Sequence, residues 1–155
     1  MKDLSALSKE DLIKLVEFYR RDSLTGLKMR KDFEVEFYEY FKSNISFYLI
    51  LVDINGLKEV NTKNGYLAGD DLIRRVANYL EYNCPGKIFR LGGDELVLLH
   101  KTKSITCTPT EDFCMSTVYS VDFLSTTDMF KAADNQLSLE KLKYYSTTGK
   151  ERRTR

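Results

Sequence analysis

The chain has 155 residues, 43% of them hydrophobic, enough for one core, and no Gly-, Ser- or Pro-rich spacer divides it. Its 24 basic and 23 acidic residues give a formal net charge of +1, which argues against a nucleic-acid-coating protein or a polybasic membrane binder. No apolar run approaches the ~20 residues of a membrane span, so no membrane association is expected and the cytoplasm is the expected location.

Ser8 and Asp11 make a capping box ahead of Leu12, Leu15, Val16 and Tyr19, which predicts a short amphipathic first helix. After the Thr25-Gly26 break, Phe33, Phe37 and Phe41 mark one face of a second helix ending near Ser43-Asn44. Residues Phe47 to Val52 are apolar throughout and of strand length, the pattern of a central strand buried on both faces and ending at Asp53. Asn55 to Gly65 reads as a polar loop. Leu72, Ile73, Val76 and Leu80 outline a third helix closing near Asn83-Cys84-Pro85-Gly86. Two strands follow, Lys87 to Leu91 and Leu96 to His100, as a hairpin with Gly92-Gly93-Asp94-Glu95 at its tip. A further strand is expected at Thr117 to Phe123. A last helix is expected from Asp128 to Tyr145, with Met129, Ala133, Leu137 and Lys141 one turn apart.

This order predicts one α/β (α+β) domain, helices against a largely antiparallel sheet. An N-terminal helix occupies residues 1–20, a core residues 21–145, and a mobile basic tail residues 146–155. Cys84, Cys107 and Cys114 form neither an even set nor a CxxC pair, and read as reduced, inert thiols. His100 has no nucleophile or metal-ligand partner at a recognisable spacing and reads as a surface or satisfied histidine. The tyrosines and phenylalanines fall on helix faces and strands and read as core, not as a base-stacking platform. Asp53-Ile54-Asn55-Gly56 is not a calcium loop, because Leu57 and Val60 stand where oxygen ligands are needed.

Asp53 at a strand end and Asp94-Glu95 at a hairpin tip are brought together if the two strands pair. Three carboxylates on rigid elements suit Mg²⁺ or Mn²⁺, with waters and substrate phosphates completing the shell. Gly92 and Gly93 remove side chains, so a triphosphate could lie over the backbone and accept from its N–H groups. The combination points to phosphoryl transfer. Alone, a Gly-Gly-Asp-Glu tip is equally an ordinary turn with solvated charges.

Four stretches together resemble the successive motifs of the GGDEF family: Arg21-Asp22-Ser23-Leu24-Thr25-Gly26-Leu27; Asp53-Ile54-Asn55-Gly56-Leu57-Lys58-Glu59-Val60-Asn61; Gly65 with Gly69-Asp70; and Phe89-Arg90-Leu91-Gly92-Gly93-Asp94-Glu95-Leu96. The likeness continues weakly through Thr117 to Lys141. It implies a ferredoxin-like, palm-type fold and a diguanylate cyclase that condenses two GTP into cyclic di-GMP across a homodimer, with two metal ions per active site. By position, Asp53, Asp94 and the Ile54 carbonyl match metal ligands, and Glu95 matches an acid in metal binding or catalysis. Lys58 matches a lysine facing the phosphates. Asn61 and Asp70 match the pair reading the guanine edge, for which an amide and a carboxylate are suited. A phosphate-binding lysine of the last helix is matched by Lys141, with Lys143 nearby and a solvated helix face as the alternative for both.

Departures from the pattern carry their own expectations. Asn83 and Gly86 replace the Arg and Asp of an inhibitory product site, so feedback through that site is expected to be absent. Gly56, Thr62, Tyr66 and Leu96 replace other usual residues. Lys101 to Ser116 is too short and polar for the helix that normally follows the hairpin, and Pro109 interrupts it. The sheet face that helix would cover is expected to be closed by the Ile105 to Phe113 loop or used for self-association. The first helix is a dimer handle or, more simply, a cap on the core. With no sensor recognised, a constitutive module or one controlled by expression is expected. The competing functions are a GTP-binding effector without catalysis and a palm-type cyclase making another cyclic nucleotide.

Overall fold

The computed structural model describes residues 7–101 and 107–149. In chain order the elements are α1 (Lys9–Tyr19), β1 (Lys28–Met29), α2 (Arg30–Lys42), β2 (Tyr48–Ile54), α3 (Leu57–Asn64), α4 (Tyr66–Asn83), β3 (Lys87–Gly92), β4 (Glu95–His100), β5 (Phe113–Tyr119) and α5 (Thr126–Thr148). The five strands form one sheet in the order β1-β3-β4-β2-β5. Every neighbouring pair is antiparallel except the short β1 beside β3.

Strand β2 lies between β4 and β5, and all its residues after Tyr48 are buried, which explains its unbroken apolar run. Alternation sends Ile50, Val52 and Ile54 to one face, where Leu72, Ile73, Val76 and Leu80 of α4 cover them. Leu49 and Leu51 face the other way, against Phe33 and Phe37 of α2 and Met129, Ala133 and Leu137 of α5. The next residue on that second face is Asp53. The strand's own pleat therefore aims the carboxylate at α5.

Several boundaries differ from the sequence expectation. The polar stretch after Asn55 is not a loop throughout: Leu57–Asn64 is helical. Apolar periodicity could not find α3, because it has no buried residue. The strand expected at Thr117 to Phe123 runs from Phe113 to Tyr119, and Ser120–Asp122 is a 3₁₀ turn. Its inward positions include Cys114 and Ser116, which break the apolar pattern. Helix α5 extends through Thr148, taking up the start of the expected tail. Residues 150–155, the rest of that tail, lie outside the described residues. Helix α1 has no buried residue, and Leu15 is its one half-buried side chain.

The cysteines correct the reading of three reduced thiols. Cys84, the C-cap of α4, is disulfide-bonded to Cys107, with Cα atoms 4.7 Å apart and 23 residues of separation. Only Cys114 is free, and it is buried. Spacing could not reveal this pair, because the fold brings the end of α4 beside the return from β4 to β5. That return carries no helix over residues 107–112. Cys107 and Phe113 join the α4-facing core, so the described part of the loop closes that face. Ile105 lies outside the described residues.

Candidate active site

The β2–β4 register sets Asp53 directly opposite Glu95. One step further, Ile54 N donates to Asp94 O at 3.0 Å, so the hairpin tip is tied to the end of β2. Gly93 adopts φ +48° and Gly92 φ +150°, both in the region that favours glycine, and a side chain at either would meet open space. The tip thus presents bare backbone to a cleft of about 910 Å³. Asp53, Gly92, Gly93, Asp94, Glu95 and Lys141 all line it, with Arg30 at one side and Phe130, Asp134 and Ser138 of α5 opposite the tip.

Asp53 is 4% exposed. Burial, the largest influence, pushes its carboxyl up to about 6; Lys141 pulls against that shift, while Asp94 and Glu95 reinforce it. Lys141 Nζ lies 2.7 Å from Asp53 Oδ2. Of the two lysines considered on the last helix, Lys141 reaches the cleft, whereas Lys143 pairs with Glu140 at 2.7 Å. Among the described residues no three acids, histidines or cysteines form a ready cation cage. The acids nevertheless suit a hard divalent ion: Asp53 and Glu95 sit on paired strands with Asp94 in the turn beside them, and the buried Asp53 carries a basic partner that an ion could replace.

Lys58, Asn61 and Asp70 do not line this cleft. They belong to α3 and α4, on the other side of the sheet end. Asn61 Oδ1 is buried and has no hydrogen-bond partner among the described residues. A Cβ at Gly69 would fall 1.8 Å from that oxygen, so the glycine before Asp70 leaves the room that Asn61 occupies. A buried acceptor without a partner is costly and suits a site whose ligand supplies the donor. Lys58 is exposed and Asp70 half-buried.

Two arginines gain roles that motif matching did not assign. Arg90 donates through Nη2 to Gly93 O at 2.9 Å and through Nη1 to Asp22 Oδ1 at 2.8 Å. Asp22 also accepts from Thr25 N and Oγ1 at 2.9 and 2.7 Å. Burial raises the Asp22 carboxyl, but the bonds from Thr25 and Arg90 outweigh it and hold Asp22 below the usual carboxylate range. Arg30 Nη2 lies 3.9 Å from Glu95 Oε2. The buried His100 stacks on Tyr48 and does not line the cleft. Among the described residues no helix is long and apolar enough to cross a membrane.

Comparison with known proteins gives a consistent answer. The family model described as "Diguanylate cyclase, GGDEF domain" matches residues 19–127, more than half of the chain. Diguanylate cyclase VdcA of Vibrio cholerae is 33% identical over 99 residues, covering 63% of this chain and 29% of that protein. Probable diguanylate cyclase DgcI of Escherichia coli is 31% identical over 99 residues, covering 60% of this chain and 22% of that protein. The chain thus spans less than a third of the length of these curated relatives. The crystal structure of diguanylate cyclase SiaD from Pseudomonas aeruginosa, in complex with its activator SiaC, matches with TM-score 0.71 at 22% identity, covering 86% of this chain and 63% of that one. The coiled coil and GGDEF domain of DgcB from Caulobacter crescentus, in complex with c-di-GMP, matches with TM-score 0.69 at 19% identity, covering 91% and 87%. At these identities the structural likeness establishes the fold, and the family model assigns its lineage: the chain belongs to the diguanylate cyclase GGDEF domain family.

Proposed function

We propose that this chain is a diguanylate cyclase, joining two GTP molecules into cyclic di-GMP with loss of two pyrophosphates. The observation that carries the reading is the β2–β4 register, with Asp53 opposite Glu95 and Asp94 beside them on a cleft floored by bare glycine backbone. Asp53, Asp94, Glu95 and the Ile54 carbonyl would hold two Mg²⁺ or Mn²⁺ ions. Such ions, when bound, acidify a ribose 3′-hydroxyl and offset the charge that builds on the phosphates.

The chain's own residues do the positioning. Gly92 and Gly93 let the triphosphate approach the main chain, Lys141 within the cleft supplies positive charge for it, and Lys58 would do so from the α3 side of the sheet end. Lys141 would exchange Asp53 for phosphate oxygens as the acids fill. Asn61 and Asp70 would read the guanine edge, with Asn61 Oδ1 and the Asp70 carboxylate accepting from N–H groups that adenine does not present in the same pattern. Each subunit holds one GTP, so two subunits must face each other for each 3′-hydroxyl to reach the other α-phosphate.

A GTP-binding effector is the second reading, and the Lys141–Asp53 ion pair favours it, because the buried acid is already compensated without a metal. Incubating the purified chain with Mg²⁺ and GTP, ATP or both, with products resolved by mass spectrometry, separates the readings. Cyclic di-GMP that disappears in Asp94→Ala supports the cyclase. GTP bound but unconverted supports the effector, and an adenine-containing product supports a different palm-type cyclase.

A further inference from the structure

Residues Cys107–Phe113 of the return from β4 to β5 are anchored to α4 by unlike means. Where the return's described part resumes, Cys107 is bonded to Cys84 at the end of α4, and Tyr79 Oη donates to Thr108 O at 3.3 Å. Next, Arg75 of α4 makes two bonds of 2.8 Å to the carboxylate of Asp112. Then Phe113, 1% exposed, enters the core beside the Tyr79 ring. The Arg75–Asp112 pair lies at the surface, where ion pairs contribute little, so the covalent bond is the firm constraint at this end.

The opposite edge of the same segment grips Asn55, the residue directly after Asp53 and Ile54. Asn55 N donates to Asp112 O at 2.8 Å, and Asn55 Nδ2 donates to Glu111 O at 3.1 Å. Asn55 Oδ1 accepts from Cys114 Sγ at 3.2 Å. Burial pushes the Cys114 thiol up, which keeps it a protonated donor. Asn55 is 5% exposed, and these bonds use its backbone N–H and both ends of its side-chain amide. The metal-binding end of β2 is therefore held from one side by the glycine tip and from the other by this segment.

We infer that residues Cys107–Phe113 form a strap latched by a reducible disulfide, and that Asn55 is the positioning residue through which the strap holds the Asp53–Ile54 end of β2 in place for metal. The metal part of this inference rests on the cyclase reading; the strap does not. A dithiol reductant opens the latch. Its thiolate attacks one sulfur of the Cys84–Cys107 bond, and its second thiol then displaces the mixed disulfide. Two electrons and two protons pass to Cys84 and Cys107, leaving two protein thiols and the reductant as its own disulfide. Both half-cystines are buried, 3% and 8% exposed, so the attack follows opening of the strap.

The test compares the full chain purified without reductant and after dithiothreitol, with circular dichroism recording the fold in each state. Alkylation under denaturing conditions should label one thiol before reduction and three after; three in the untreated chain overturns the latch. Amide exchange at Ile54 and Asn55 should quicken at least about tenfold on reduction, while Leu49 to Leu51 stay protected. Equal exchange in the two states overturns the strap, and this readout holds whether or not any nucleotide is turned over. Mn²⁺ affinity, read from the paramagnetic resonance of the free ion, should fall about tenfold on reduction and by a similar factor in Asn55→Ala, without adding in the reduced variant. An Asn55→Ala chain whose Mn²⁺ affinity still drops tenfold on reduction overturns the role of Asn55. A chain that behaves as expected in exchange yet makes no cyclic di-GMP refutes the cyclase reading and leaves the strap supported.

Discussion

Arg90 joins the glycine tip to the Asp22 turn, and the bond helps hold its carboxylate partner below the usual range. Asp22 is held below its ordinary value of 3.8 in the folded chain. Its contribution to stability is therefore present above that value and is lost as pH falls through the lower folded value. Asp22→Asn should destabilise by about 2 kcal/mol at pH 7 and by clearly less near pH 3, measured by urea unfolding at both. A deficit of equal size at both pH values would count against a charged contact. Gly69 makes a different prediction: Gly69→Ala adds a Cβ 1.8 Å from Asn61 Oδ1, the movable end of that side chain. Alanine in a helix favours folding by up to about 1 kcal/mol, so thermal stability should hold or rise while GTP affinity, measured by calorimetry, falls. Lys141 is tested by Lys141→Met, which leaves Asp53 buried beside two other acids. The loss at pH 8 should be about 2 to 3 kcal/mol in chelator and should shrink on adding Mg²⁺, since an ion would take over the role of the ammonium group. Calorimetric unfolding with and without the ion measures both numbers.

At the scale of elements, α1 and the α3–α4 pair behave differently although all three are amphipathic or polar helices on the surface. Helix α1 has no buried residue and only Leu15 half-buried, so removing the helix should change the stability of the core by no more than about 0.5 kcal/mol. A cooperative transition at nearly the same midpoint is the expected calorimetric result; a large drop would show that Leu12, Ile13 or Val16 do pack on the domain. Helix α3 also buries no residue, yet Leu57 and Val60 pack partly against the α4-facing core, and Asn61 sits over Gly69. That contact places α3 on the side of the site proposed to read guanine. Helix α5 combines both duties: Met129, Ala133 and Leu137 seal the core, and one turn later Lys141 meets Asp53.

For the molecule as a whole, one chain presents one set of acids and one pair proposed to read guanine, so the proposed reaction needs two copies. Specific activity should rise with protein concentration in the range where copies associate, and sedimentation with a non-hydrolysable GTP analogue should show a dimer. Constant specific activity down to concentrations at which only monomer sediments would argue against condensation across two subunits. The exposed apolar side chains of α1, among them Ile13, Val16, Phe18 and Tyr19, are one surface on which such association could be examined by truncation.

The sequence alone determined the elements whose patterns are local. The apolar run of β2, the glycine tip and the helical spacing of α2, α4 and α5 follow from periodicity and turn chemistry, while the roles expected of Lys58, Asn61 and Asp70 are what the family resemblance implies. Asp53, Asp94 and Glu95 could be named together because a strand end and a hairpin tip are positions that pairing brings into contact. Other features were settled only by the tertiary structure. Helix α3 has no buried stripe to announce it, and β5 buries the small Cys114 and the polar Ser116 at inward positions. The Cys84–Cys107 bond depends on where α4 ends relative to the return from β4. The bonds from Arg90 to Asp22, from Lys141 to Asp53, and from Asn55 to the strap join residues far apart in the chain. Such contacts are made by packing two sheet faces and aligning three strands, and no local pattern encodes them.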